Sequence, residues 1–298
     1  MERTDMNLTR RTFLKTSACM AAALSLQRAE TARARTNIRL SACDWSMQMT
    51  AQPEALGAAQ ALGLEGVEIA ASTGVPDDGL PVAEAETRAA YKEAMERTGV
   101  TVSGVALTFH NNTPFARDPR APEWLASCID AAEDLGAGVI LIPFFFAGDL
   151  RDEGGELLAD DVDATLERLR DAAPAAEEAG VVLGIENWLS AEENLDIVER
   201  IGSDMVRVYY DIGNSTVQGY DVPAEIRLLA DQLAPSIHFK DGGGALGDGE
   251  VDMEGVAEAL EDIAYQGWVT LETAVLDRDR DGSFERNAAF ARELLGLG

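Results

Sequence analysis

Between Val181 and Thr273, four short apolar runs each stop at a side chain able to bind a metal ion. Val-Val-Leu-Gly-Ile stops at Glu186, Val-Arg-Val-Tyr-Tyr at Asp211, Pro-Ser-Ile at His238 and Trp-Val-Thr-Leu at Glu272. Each run has the length and β-branched content of a buried strand, and helix-like sequence separates it from the next. Strands that alternate with helices pair in parallel, because each crossover brings the chain back to start in the same direction. All four runs therefore leave the sheet at one end, and three carboxylates and an imidazole are expected to converge there.

The same alternation extends back to Ile38. Strands are expected at 38–43, 66–70, 100–107 and 139–142, then in the four runs that carry Glu186, Asp211, His238 and Glu272. Helices are expected at 53–62, 82–98 and 122–135, and in the alanine- and glutamate-rich stretch that ends at Gly180. Further helices follow at 192–201, 223–233, 253–265 and 283–295. Gly99, Gly136 and Gly180 sit where helices stop, and Glu84, Arg88 and Lys92 share one helix face. The glycines around 242–249 read as a mobile loop, and the acidic segment 149–156 as a loop. Eight strands and eight helices in residues 35–298 are close to the ~250 residues usual for a (β/α)₈ barrel. A doubly wound open sheet would show a glycine-rich dinucleotide fingerprint after an early strand, but strand 1 runs into Asp44-Trp45. The expected fold class is α/β, a single-domain (β/α)₈ TIM barrel whose chemistry sits at the C-terminal ends of its strands.

Residues 1–34 read as a separate export signal. Thr9-Arg10-Arg11-Thr12-Phe13-Leu14-Lys15 precedes an apolar run from Ala18 to Leu26, and Ala32-Arg33-Ala34 offers a small-residue cleavage site. The apolar run is too short to span a bilayer, so no stable membrane anchor is expected. The paired arginines look like a twin-arginine signal, which implies the twin-arginine export machinery as a partner and a periplasmic or extracellular destination. Cys19 leaves lipidation open. Cys43 and Cys128, without motif spacing, read as small buried hydrophobes.

A net charge of -29 excludes nucleic acid and anionic membrane surfaces as partners, because phosphates would be repelled. The chain has only three lysines, Lys15, Lys92 and Lys240. An acidic, lysine-poor surface points to a salt-rich habitat, where screening relieves self-repulsion.

Carboxylates with one imidazole and no thiolate suit one divalent ion: Mn²⁺ foremost, with Mg²⁺, Co²⁺ or Zn²⁺ as alternatives. Four protein ligands leave positions for a substrate carbonyl and its neighbouring hydroxyl, and the ion would stabilise a developing enediolate. A glutamate on each face could carry a proton between adjacent carbons. Asn214 and Lys240 are placed to contact substrate oxygens. Trp45, Phe109, Phe145 and Trp188 are candidates for an apolar wall, and Glu68 and His110 for substrate contact or support behind the ligands.

These residues carry a resemblance to the sugar phosphate isomerase/epimerase family, the xylose-isomerase-like TIM barrels, across Ile38 to Leu295. The motifs are Gly66-Val67-Glu68-Ile69, Gly184-Ile185-Glu186-Asn187, Asp211-Ile212-Gly213-Asn214, His238-Phe239-Lys240-Asp241 and Leu271-Glu272. The resemblance implies that Glu186, Asp211, His238 and Glu272 hold the metal, with Glu186 and Glu272 as the catalytic proton-transferring pair. It also implies a metal-dependent isomerase or epimerase of a sugar, keto-sugar or cyclitol. Some ketose epimerases of the family have histidine where this chain has Asn214. No basic cluster is present to hold a phosphate, so an unphosphorylated substrate is expected. Alternatives on the same site are a lyase, dehydratase or hydrolase of keto-sugars or keto-glycosides, or a periplasmic sugar-binding barrel without turnover. A DNA endonuclease of the wider superfamily would need more histidines than the two present, and a basic face. Whether the protein forms a homo-oligomer is left open.

Overall fold

A computed structural model of the chain describes residues 37–77 and 79–297. The expected export signal, Cys19 included, lies outside the described residues. Eight parallel strands form one sheet: β1 (Asn37–Cys43), β2 (Gly66–Ala70), β3 (Thr101–Ala106), β4 (Val139–Phe144), β5 (Val182–Asn187), β6 (Val206–Val208), β7 (Ser236–Phe239) and β8 (Gln266–Leu271). They are ordered β6-β5-β4-β3-β2-β1-β8-β7. β6 and β7, the two ends of that order, meet through isolated parallel bridges from Val208 to Leu233 and from Asp211 to His238. The His238 amide donates to the Tyr210 carbonyl at 2.9 Å and the Ala234 amide to the Val208 carbonyl at 2.8 Å. The ring closes there, and the fold is the TIM barrel that the strand count implied. The closing bridge also places Asp211 and His238 side by side.

Every residue of β2, β4 and β7 is buried. That is the signature of parallel strands covered by helices on one side and by barrel-filling side chains on the other. The outer helices are α1 (Ala55–Ala61), α2 (Ala85–Thr98), α3 (Ala121–Leu135), α4 (Ala159–Ala179), α5 (Ala191–Ile201), α6 (Ile212–Val217), α7 (Val222–Leu229), α8 (Met253–Asp262) and α9 (Arg280–Leu295). Leu56, Leu125, Leu169, Ile226 and Leu260 point inward from them, each at most 1% exposed. Gly99, Gly136 and Gly180 cap α2, α3 and α4 at φ of 73°, 71° and 67°. At the start of α5, Ser190 and Glu193 form a reciprocal capping box worth about 1 kcal/mol.

The structure departs from the sequence-based expectations in four places. Residues 82–98 are a 3₁₀ turn (Pro81–Ala83) followed by α2, and Arg88 and Lys92 reach across to Asp134 on α3, not back to Glu84. β6 ends at Val208, although the Tyr209 amide still donates to the Ile185 carbonyl and the Tyr210 carbonyl still accepts from His238. Helix α6, unexpected, begins directly after Asp211. Finally, the glycine-rich loop after β7 is tied down. The buried Asp241 carboxylate accepts from the amides of Gly247 and Gly249 at 3.0 Å and of Val251 at 3.1 Å. Cys43 and Cys128 are free and buried. Among the described residues, no helix is long and apolar enough to cross a membrane.

Candidate metal centre

Glu186 lies near the end of β5, Asp211 beyond β6, His238 within β7, and Glu272 directly after β8. One donor atom from each lies within 4.8 Å of all the others. Such a spacing is compatible with bonds of ~2.0–2.6 Å to a shared ion. His238 Nδ1 is 3.1 Å from Glu186 Oε1, 3.6 Å from Glu272 Oε2 and 3.7 Å from Asp211 Oδ2.

Local structure aims each ligand. Asp211 caps α6, its Oδ1 accepting the Asn214 amide at 2.8 Å, which leaves Oδ2 facing the centre. Oδ2 is buried, with Lys240 Nζ 2.8 Å away in an ion-pair contact. Glu272 is held from both sides: Trp45 Nε1 donates to Oε1 at 3.0 Å and Lys240 Nζ to Oε2 at 2.6 Å. Lys240 reaches this position past Gly213, where a Cβ would lie 2.5 Å from the lysine Cγ. Glycine is required in that motif for this close approach.

His238 is gripped from behind. Its Nε2 is 2.8 Å from Glu68 Oε2 and 3.4 Å from Cys43 Sγ. The other oxygen of Glu68 accepts the Tyr209 hydroxyl at 2.9 Å. From Tyr209 a chain of buried hydroxyls continues through Ser236 (2.6 Å) and Thr270 (2.9 Å) to Ser41 (2.6 Å). A carboxylate on the far nitrogen orients a ligating imidazole and raises its basicity.

The charges inside the cluster are strongly perturbed. Burial raises the Glu186 carboxyl to about 7, with the Glu272 and Asp211 charges adding to it and His238 opposing. Burial also raises Asp211, against the pull of Lys240. For Glu272, burial is overcome by His238 and Lys240, which hold its carboxyl down at about 2. Burial alone would lower His238, yet the acidic groups packed round it raise it well above the ordinary imidazole range. Three crowded carboxylates, buried at Glu186 and Asp211 and half-buried at Glu272, with a pendant imidazole are the donor set of a hard or borderline divalent cation, and the residues fit one.

The centre opens into a cavity of about 310 Å³. Glu186, Glu272, Lys240 and Asn214 face it, and Trp45, Leu141, Pro143, Phe145, Phe146 and Trp188 form its apolar walls, with Thr108 and Asn111 alongside. Trp45, Trp188, Phe145, Asn214 and Lys240 thus lie where the sequence suggested. Glu68 takes the supporting place behind a ligand and not the substrate contact: it is sealed behind His238, away from the cavity. His110 does neither. His110 is fully buried in an aromatic cage of Phe109, Phe115 and Trp124, its Nδ1 2.8 Å from the Thr113 carbonyl. Phe109 belongs to that cage too and lines no part of the cavity. Sequence reasoning missed Tyr209, Thr108 and Asn111 as members of the site. Their only signal was their position at strand exits.

The fold and this centre define a class: a (β/α)₈ barrel with an acid-rich, metal-ready mouth at the C-terminal ends of its strands. Residues 56–294 match the xylose isomerase-like TIM barrel family, and the chain belongs to it. An Escherichia coli (strain K12) protein provisionally named an L-ribulose-5-phosphate 3-epimerase is 30% identical, over 74% of this chain and 82% of its own. The solved structure of an L-ribulose 3-epimerase matches with a TM-score of 0.72 at 20% identity, covering 87% of this chain and 95% of its own. A 3-keto-D-glucoside 4-epimerase from E. coli matches at 0.71 and 16% identity, covering 86% and 100%. Both structural matches bear on the fold. By its curated relatives the chain is a sugar isomerase/epimerase-like enzyme.

Proposed function

We propose that the protein is a divalent-metal-dependent isomerase or epimerase of an unphosphorylated sugar, keto-sugar or cyclitol, acting by proton transfer at a carbon beside a carbonyl. The observation that carries this reading is the pair Glu186 and Glu272. Both line one cavity, 3.1 and 3.6 Å from His238 Nδ1, so a sugar carbon held there meets two carboxylates able to take and return a proton. A divalent cation held by Glu186, Asp211, His238 and Glu272 would supply positive charge to a substrate carbonyl and adjacent hydroxyl. Mn²⁺ is the favoured ion for that carboxylate-rich set.

The residues around the pair have separable tasks. Glu272 is oriented by Trp45 and Lys240, and Asn214 offers an amide to a substrate hydroxyl. Trp45 and Trp188 cover the apolar face of a sugar and limit water near the acidified C–H bond. Lys240 is the cavity's sole basic side chain among the described residues, and two carboxylates already engage it. An added phosphate would find no free cation there, which favours an unphosphorylated substrate although the E. coli relative is named for a phosphorylated one. We further propose export by the twin-arginine route, supported by Arg10-Arg11-Thr12-Phe13-Leu14-Lys15. Cell fractionation of the full chain, with Arg10 and Arg11 replaced by lysine as control, tests it.

The test of the reaction is deuterium uptake from heavy water into a panel of sugars by wild type and Glu186→Gln, with bound metal measured in both. Site-specific exchange should occur in wild type and fall by about 10²–10⁴ in the variant at equal metal content. Product without deuterium incorporation anywhere in the panel would point to the hydrolase alternative. Unchanged exchange would remove Glu186 from the reaction.

A further inference from the structure

One wall of the cavity passes from buried to open. Glu186 at the inner end is 4% exposed, Phe145 is 6% and Phe146 is 71%. Trp188, partly buried, touches both aromatics, its ring 5.0 Å from Phe145 and 5.5 Å from Phe146, the latter edge-on at 80°. The backbone that presents Trp188 is fixed on both sides. The Tyr220 hydroxyl donates to its carbonyl at 3.0 Å, and the Leu189 amide donates to Asn187 Oδ1 at 2.9 Å. Phe146 itself sits at φ 52°, in the left-handed region that bulky side chains avoid. The chain therefore holds a large aromatic ring in solvent, in a costly backbone conformation, at the lip of a polar site. Core packing does not account for a side chain so exposed.

We infer that Phe146 and Trp188 form an outer subsite that stacks on a second, uncharged ring attached to the reacting sugar, so that the substrate is a glycoside and not a free monosaccharide. This rests on the reading of the cavity as a sugar site. The C–H face of a pyranose, like an aromatic aglycone, packs on the electron-rich face of such rings. The subsite belongs to the same cavity as Glu186 and Glu272, so a ring bound there can be joined to one at the metal centre. Among the described cavity-lining residues only Lys240 is basic, and it is held at Asp211 and Glu272, so the stacked group carries no negative charge.

Calorimetric titration of the Mn²⁺-loaded protein with monosaccharides and with their phenyl and glucosyl glycosides tests this. At least one glycoside should bind about tenfold more tightly than its parent sugar. Phe146→Ala should erase that ratio and Phe146→Tyr should retain it. Phe146 contributes nothing to the core, and a melting curve of each variant checks folding. A panel in which no added ring improves binding, or a gain that survives Phe146→Ala, overturns the inference. Failure of the catalytic reading is distinguishable. Missing deuterium exchange alongside an intact glycoside preference would sink the reaction and leave the subsite, whereas exchange without that preference would do the reverse.

Discussion

Replacing Glu68 with glutamine isolates what the carboxylate behind His238 contributes to the metal centre. Both side chains are 1% exposed, so water cannot take over the 2.8 Å contact between them. Glutamine keeps the shape. Its carbonyl oxygen can still accept from His238 Nε2, and its amide can donate to the Tyr209 hydroxyl, which then turns toward Ser236. What disappears is the negative charge that makes the opposite nitrogen, Nδ1, a stronger donor. Losing such a partner typically weakens metal binding 10–100-fold, ~1.4–2.7 kcal/mol. Isothermal titration of Mn²⁺ into metal-free wild type, Glu68→Gln and Tyr209→Phe measures it directly. Tyr209→Phe removes the hydrogen bond to Glu68 Oε1 without altering its charge, and should lower affinity by only a few fold. The reasoning is refuted if Glu68→Gln binds within twofold of wild type. It is equally refuted if Tyr209→Phe loses as much, because the network and not the charge would then be responsible.

Burial lowers His110 to about 4, so the folded protein keeps it neutral while an unfolded chain protonates it near 6.5. Its stabilising contribution is full above pH ~6.5 and is lost as pH falls toward 4, up to about 3 kcal/mol. Chemical denaturation of wild type and His110→Gln across that range should show a shallower slope in the variant, and identical slopes would contradict the burial argument. The net charge of -29 should make the melting temperature rise between low salt and 1 M KCl. A melting temperature indifferent to salt would argue against self-repulsion as a significant destabilising force here.

Much of the centre was legible because it depends on chain direction. A parallel sheet brings every strand exit to one end, so Glu186, Asp211, His238 and Glu272 share a rim once the alternation of strands and helices is accepted. Glu68 and His110 show where that logic stops. Each, in or just after a strand, suited either substrate contact or support behind the ligands, and only the folded barrel puts Glu68 in support of His238 and His110 in an aromatic cage. Asp241 is a further case. Beside Lys240 in the motif it resembles another acid of the site, but its oxygens, among the described residues, serve only the loop amides of Gly247, Gly249 and Val251. Periodicity states which face of an element a residue occupies. It does not state which side chains meet across the barrel, because those pairings come from elements distant in sequence.

What the sequence determined by itself was the alternation, the direction of every strand and the chemical kind of the four converging donors, since these follow from local pattern and the parallel pairing it imposes. Closure at Asp211 and His238, the Lys240 tether on Asp211 and Glu272, and the opposite shifts of Glu186, raised by burial, and Glu272, held down by His238 and Lys240, were decided only in three dimensions. They depend on through-space distance and on the exclusion of water, and both arise only when the barrel has closed.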